Sequence, residues 1–364
     1  MAARNLVRDD LSQFGPTQTQ AVSLHAAQGY CRALTLGHYE NFSVLSPLVP
    51  ADKRDDFAAV YAFARWADDL GDESGSPARA LELLAWWRGE LDAMFRGEVR
   101  HPVFVALSVA VKRNALAQTP FADLISAFEL DQTKTRYATW NEVLEYCRLS
   151  ANPVGRLVLQ VLGERCDEAQ LAASDAVCTA LQLTNHWQDI NRDWTQRGRI
   201  YVPADMHDIA EFEQRLDRTT AQGFSSDSEF FGASKRLVRR LVARTWDEYE
   251  RGENLLTLVS PRSRPLLWLF AAGGRTVLRN IERWNCETVL ERPTLSPPRK
   301  IMLMARASLM AHIPTYAPTL PGPSQWIVDP EPDADAHRFP RAMVSGALSH
   351  ASSAVVVDAE EHTP

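Results

Sequence analysis

Apolar residues in this chain recur at three- and four-residue spacing almost from end to end, and runs that alternate apolar with polar are scarce. A period near 3.6 buries one face of an α-helix, whereas a half-buried strand needs a period of two. The pattern predicts an all-α protein, with helices over about 17–36, 52–71, 77–96, 101–116, 120–138, 140–163, 167–197, 226–257, 261–286 and 297–312. Ser76-Pro77 and Thr119-Pro120 read as helix starts, because the first turn does not need the N–H that proline lacks. Asn152-Pro153 should break or kink the stretch from Trp140 to Gly163. Residues 198–225 open on Gly198-Arg-Ile-Tyr-Val-Pro203, carry many charges and read as a long connection.

From about residue 317 the period is lost and Pro, Asp, Ala and Ser dominate. The simplest division is one helical domain over 1–316 and a disordered or loosely held tail over 317–364. The net charge of −7 argues against nucleic acid as a partner. Five scattered cysteines form no CxxC pair, which argues against a disulfide framework or a zinc site and fits a reducing cytoplasm. The first ten residues contain no apolar h-region, and the longest apolar run, Pro265 to Gly274, is too short to span a bilayer. The expected location is cytoplasmic, with any membrane contact peripheral, at the inner face.

Two acidic clusters carry the chemistry. The first, Asp68-Asp69-Leu70-Gly71-Asp72-Glu73, ends a segment from Phe57 that is apolar nearly all round and should be buried. Carboxylates four residues apart lie on one helical face, about 6 Å apart along the axis. A lone cluster of this kind is usually a solvated helix end. Here the carboxylates sit at a helix C-terminus, where the macrodipole disfavours negative charge, and next to apolar surface. A bound cation would offset both costs, and Mg²⁺ suits carboxylates shared with phosphate oxygens. Arg65, three and four residues before Asp68 and Asp69, can pair with them or reach a phosphate.

The second cluster repeats the logic. Asn185, Asp189 and Asp193 are four apart and offer one carbonyl and two carboxylate oxygens on one face. Gln182 lies on an adjacent stripe, Arg192 is placed to neutralise Asp189, and Arg197, Arg199 and Tyr201 follow. Taken alone, this segment reads equally well as a polar stripe laced with i,i+4 pairs. Two such faces in one helical protein can hold a diphosphate between them through metal ions. A di-iron carboxylate bundle is rejected, since it needs Glu-x-x-His on each of two helices and the lone match, Glu98 to His101, lies in a turn flanked by Gly97 and Pro102. His38 and His186 are isolated and read as structural or supporting residues.

Five segments in order resemble the squalene/phytoene synthase family of head-to-head prenyl synthases. They are His38-Tyr-Glu-Asn-Phe42, Tyr61 to Asp72, Tyr146 to Gly155, Leu181 to Asp193 and Gly198 to Pro203, and the resemblance covers about residues 20–312. It implies an isoprenoid-synthase helical bundle around a deep apolar cavity, with Mg²⁺ as cofactor. It further implies that Asp68, Asp69 and Asp72 form the first metal motif, and Asn185, Asp189 and Asp193 the second. Arg65, Arg199 and Tyr201 then lie near the diphosphate, and Tyr146 near the reacting cation.

The first, third and fourth segments look most like the family branch that makes hydroxysqualene from presqualene diphosphate and water in bacterial hopanoid synthesis. Partner enzymes of that route supply the substrate and reduce the product. Glu40 and Gln188 stand where many relatives that join two prenyl diphosphates carry Lys and Arg, and fewer cations suit a substrate with one diphosphate. Phe42, Tyr146 and Trp187 are candidates for facing the cation, although Trp187 alone reads better as core. The alternatives are a squalene, phytoene or presqualene diphosphate synthase acting on two molecules of farnesyl or geranylgeranyl diphosphate, and a non-catalytic relative serving as an assembly factor. A generic helical scaffold explains neither the placement of the carboxylates nor the ordered motifs.

Overall fold

The computed structural model describes residues 9–17, 21–37, 47–313 and 315–324. Helix α1 spans Leu24–Gly37, α2 Arg54–Asp72, α3 Pro77–Phe95, α4 Pro102–Asn114, α5 Thr119–Leu130, α6 Trp140–Ser150 and α7 Asn152–Leu162. They are followed by α8 Glu168–Gln188, α9 Ile190–Arg197, α10 Phe212–Gln222, α11 Ser228–Arg251, α12 Arg264–Arg283 and α13 Pro297–His312. No strand occurs among the described residues, where one isolated bridge joins Arg136 to Ile200.

Local chemistry sets most boundaries. Ser76 caps α3 by accepting from the Arg79 N–H at 3.3 Å, with Pro77 in the first turn. The chain breaks at Ala151, and Pro153 sits in the first turn of α7. Two departures from the apolar pattern have tertiary causes. Helix α5 stops at Leu130 because residues 131–138 pair with the segment after α9: Ile200 N–H donates to Thr135 O at 2.9 Å and Ala204 N–H to Tyr137 O at 3.0 Å. The connection over 198–225 holds α10, whose buried face is little more than Leu216 and Thr219. That apolar stripe is too thin to register in a polar sequence.

Two large clusters make up most of the core. Helix α2 centres the first, burying Phe57, Phe63, Trp66 and Leu70 along with four alanines that let its neighbours approach closely. Trp66 stacks on Trp87 with ring centroids 5.4 Å apart, and Phe63 meets Phe121 edge-on at 5.0 Å. Burying each such ring contributes about 2–3 kcal/mol. Helix α8 serves the second cluster, packing on α11 and α12 through Leu183, Trp187, Leu241, Tyr249 and Leu278. Gly274 of α12 leaves no room for a Cβ beside Leu181 and Tyr249, so α8 and α12 pack closely there.

Helices α8 and α12 run in the same direction. The Gln170 amide reaches Leu258 O at 2.8 Å before α12, and Gln188 reaches Pro293 O after it. Their C-termini therefore share one end of the bundle, and α2 ends there too, since Arg199 meets Asp72 at 2.9 Å.

The opening of the stretch read as a tail lies along α12. Trp268 Nε1 donates to Pro318 O at 2.8 Å, Arg275 Nη1 to Pro321 O at 3.3 Å, and Glu282 accepts from both the N–H and the hydroxyl of Ser324. The anchors are seven residues apart, about 10 Å of helix, which three extended residues also span. Residues 325–364 lie outside those described. Truncation after residue 316 should lower the melting temperature by roughly 5 °C or more relative to truncation after residue 324, since these four hydrogen bonds and the packing of Leu320 are lost. Equal melting curves for the two truncations would show that the strap adds no stability.

Candidate active site

Helices α2 and α8 each carry one incompletely covered stripe. Between Asp56 and Asp72 on α2, the half-buried positions are Val60, Tyr61, Ala64, Arg65, Asp68 and Asp72. On α8 the stripe continues through Leu181 and Gln182 to the exposed Asn185. Helix α7 packs against both and leaves Val154 42% exposed. Each stripe starts apolar and ends in oxygen donors, so the end of the bundle has an acidic rim.

The rim joins the two acidic motifs. Arg197 binds Asp72 at 2.7 Å and Asp193 at 3.5 Å, bridging the end of α2 to α9. Arg199 binds the other oxygen of Asp72 at 2.9 Å. Asp189 falls in the break between α8 and α9, yet its N–H still reaches Asn185 O at 2.9 Å and its carbonyl accepts from Asp193 N–H at 2.8 Å. The three-residue face is therefore preserved across the break. Arg292, from the loop after α12, grips Asp189 with two N–H groups, and Arg192 stands 3.8 Å away. Arg65 holds Asp69 and lies 3.6 Å from Asp68.

The predicted residues are not equivalent in place. Asp68, Asp72, Asp189 and Asp193 gather at the rim, with Asn185 exposed beside them. Asp69 points inward, 2% exposed, with one oxygen on Arg65 and Oδ2 without a hydrogen-bond partner. Gln188 is buried and donates to Pro293 O, which fixes the loop carrying Arg292. Asn191 supports the same loop through Val289 O at 2.8 Å. Trp187 donates to Thr245 Oγ1 at 2.8 Å and stacks on Trp140 in the core. His38, Glu40 and Phe42 lie outside the described residues.

Behind the rim is a buried aromatic and polar cluster. Tyr146 from α6 and Tyr201 lie 5.3 Å apart between ring centroids, and His186 stacks on Tyr201 at 3.9 Å. Asp131 accepts from the Tyr146 hydroxyl at 2.7 Å and from the Tyr201 hydroxyl at 2.9 Å. Sequence reasoning did not find Asp131 or Arg292. Each is an isolated charged residue in a non-helical segment, and no spacing marks it.

Burial governs the electrostatics. It pushes Asp193 up to about 7, with repulsion from Asp189 adding to the effect and Arg197 opposing it. Burial also lifts Asp69 and Asp131 to about 6, against the pull of Arg65 and of Arg199 respectively. It drives His186 down to about 3, so that its imidazole is neutral. For Arg199, burial works against the charge, but Asp131, Tyr201 and Asp72 outweigh it and the net shift is upward.

The donor set is hard oxygen throughout, which suits Mg²⁺ rather than zinc or iron. No three acidic, histidine or cysteine side chains among the described residues converge into a formed metal cluster, because arginines occupy the carboxylates. The same arginines are phosphate-binding groups. A magnesium diphosphate would suit this set, with the carboxylates holding the cation and the arginines the phosphate oxygens.

Residues 35–299 match the sequence profile of the squalene/phytoene synthases. The chain belongs to the squalene/phytoene synthase family. It is 40% identical to hydroxysqualene synthase of Rhodopseudomonas palustris over 175 residues, which cover 47% of this chain and 57% of that enzyme. The chain thus aligns with little more than half the length of that relative. Phytoene synthase of Arthrospira platensis is 28% identical over 78% of this chain and 93% of its own length. The structure of squalene synthase HpnC from Alicyclobacillus acidocaldarius shares the fold at a TM-score of 0.63 and 40% identity, covering 73% of this chain and 97% of that one. A dehydrosqualene synthase, 23% identical with a TM-score of 0.64, shares the fold. The all-α isoprenoid-synthase architecture expected from the sequence is the one found.

The charge on Asp193 carries a stability cost in this family member. Because its folded pKa is raised, the folded protein binds that proton more tightly than the unfolded chain. The metal-free protein therefore loses stability as pH rises from about 4 to about 7. With metal chelated, Asp193→Asn should stabilise the protein near pH 8 by roughly 1–3 kcal/mol and leave it unchanged near pH 4. Urea unfolding in EDTA at the two pH values measures this, and a variant less stable than wild type near pH 8 contradicts it.

Proposed function

We propose that this protein converts presqualene diphosphate and water into hydroxysqualene and diphosphate, with Mg²⁺ as cofactor. The observation that carries the proposal is the pair of acidic motifs joined through Arg197, at the ends of helices whose half-covered stripes begin apolar. An amphiphile with one diphosphate head matches that arrangement, and the 40% identity to a hydroxysqualene synthase favours this branch of the family.

Asp68, Asp72, Asn185, Asp189 and Asp193 would hold the metal. Magnesium there would neutralise the charge that develops on the departing diphosphate. Arg65, Arg197, Arg199 and Arg292, released from their carboxylates, would donate charge-assisted hydrogen bonds to the phosphate oxygens. The apolar parts of the stripes would exclude bulk water from the prenyl chains. Once the C–O bond to diphosphate breaks, the electron pair leaves with diphosphate and a carbocation remains beside the Tyr146 and Tyr201 rings. Each aromatic face would stabilise it by about 1–2 kcal/mol when desolvated. Water adds to the rearranged cation, loses a proton and leaves the alcohol. No reductant is consumed on this route.

The second reading is a synthase that joins two prenyl diphosphates, favoured by the nearly full-length match to a phytoene synthase. A product assay separates the two, offering presqualene diphosphate or farnesyl diphosphate with Mg²⁺, with and without NADPH. Hydroxysqualene from presqualene diphosphate, with farnesyl diphosphate untouched, is expected, and consumption of farnesyl diphosphate establishes the second reading. Asp68→Asn and Asp189→Asn should each reduce turnover by at least about 100-fold while circular dichroism shows a folded protein. Full activity of either variant at saturating Mg²⁺ removes that residue from the metal site.

A further inference from the structure

We propose that Asp131 is a positioning residue for the reaction, acting through the hydroxyls of Tyr146 and Tyr201. The inference deepens the function proposed above and rests on it.

Asp131 directly follows α5 and is 6% exposed. Its two oxygens are divided between the tyrosines: Oδ2 accepts from the Tyr146 hydroxyl at 2.7 Å and Oδ1 from the Tyr201 hydroxyl at 2.9 Å. Arg199 Nη1 stands 3.8 Å from Oδ2, and the same nitrogen is 2.9 Å from Asp72. The three partners come from α6 and from the segment after α9, which the pairing of residues 131–138 with 198–205 brings alongside. Fold maintenance alone does not call for this group, since a buried carboxylate is costly and apolar residues of similar size commonly replace buried polar networks without loss of stability.

The hydrogen bonds fix what the phenols can do. A tyrosine hydroxyl has one proton, and here both protons are committed to Asp131. Each hydroxyl is therefore held in one rotamer, with its lone pairs turned away from the carboxylate. No free O–H is left to act as an acid toward a cation or an alkene beside the rings. Accepting two phenolic hydrogen bonds also lets the carboxylate push electron density onto the rings, which strengthens their attraction for positive charge. Arg199 ties this group to the rim. Should Asp72 turn to a metal ion, Asp131 is the carboxylate that remains within reach of the Arg199 guanidinium.

The test is a mutant cycle on the full chain with Mg²⁺, reading diphosphate release from whichever prenyl diphosphate the wild-type protein consumes. A wrong substrate assignment then appears in the wild-type product, whereas failure of this inference appears in the ratios between variants. Asp131→Asn keeps the shape but places an N–H against one phenol oxygen. It should lower kcat by at least about tenfold and leave KM within about threefold, as for other residues that orient a reacting group. In a Tyr146→Phe/Tyr201→Phe background, which keeps the rings and removes the hydroxyls, adding Asp131→Asn should cost less than about threefold more. Equal losses in both backgrounds, or an unchanged kcat in the single variant, overturns the proposal. Should Asp131→Asn fail to fold by thermal melting, the tyrosine variants decide. An unchanged kcat without the two hydroxyls overturns the proposal, and a tenfold loss at constant KM upholds it.

Discussion

Three carboxylates, Asp68, Asp69 and Asp72, sit in the last turns of α2, where the backbone dipole disfavours negative charge, and Asp189 and Asp193 add two more from the α8–α9 break. Without compensation they would push the bundle apart at that end. Arginines supply the compensation, with Arg197 at the end of α9, Arg199 just beyond it and Arg292 from the loop after α12. Much of the surrounding structure serves to deliver them. Gln188 and Asn191 pin the Arg292 loop, and the pairing of residues 131–138 with 198–205 seats Arg199. The same ion pairs make the site exchangeable, since each guanidinium is matched as well to a phosphate as to a carboxylate.

The two hydrophobic clusters make that end of the bundle possible. Helices α2 and α8 are buried along nearly their whole length, so packing rather than the charged ends fixes their positions. Each spends its apolar residues on the core except along one stripe, and Arg197 bridges the end of the α2 stripe to Asp193 of α9.

Much of this is legible in the amino-acid sequence. The apolar period places α2, α3, α4, α11, α12 and α13 close to their observed bounds, and proline marks the starts of α3, α5 and α7. The i,i+4 spacing marks Asp68, Asp72, Asn185, Asp189 and Asp193 as one set. What escapes is whatever depends on segments distant in sequence. The end of α5 at Leu130 reflects pairing with residues near Ile200, and α10 rests on very few buried side chains. Asp131 and Arg292 have no local pattern at all, because their partners lie on other elements.

The sequence by itself determined which helices form, which of their faces are apolar and where oxygen donors cluster on a face, because these follow from periods of a few residues along one chain. The tertiary structure alone decided that Arg197 joins the two acidic motifs and that one carboxylate serves both Tyr146 and Tyr201. Those outcomes rest on electrostatic and hydrogen-bonding contacts between residues as far apart as Asp72 and Arg199. Their geometry is set by helix packing and leaves no period in the sequence.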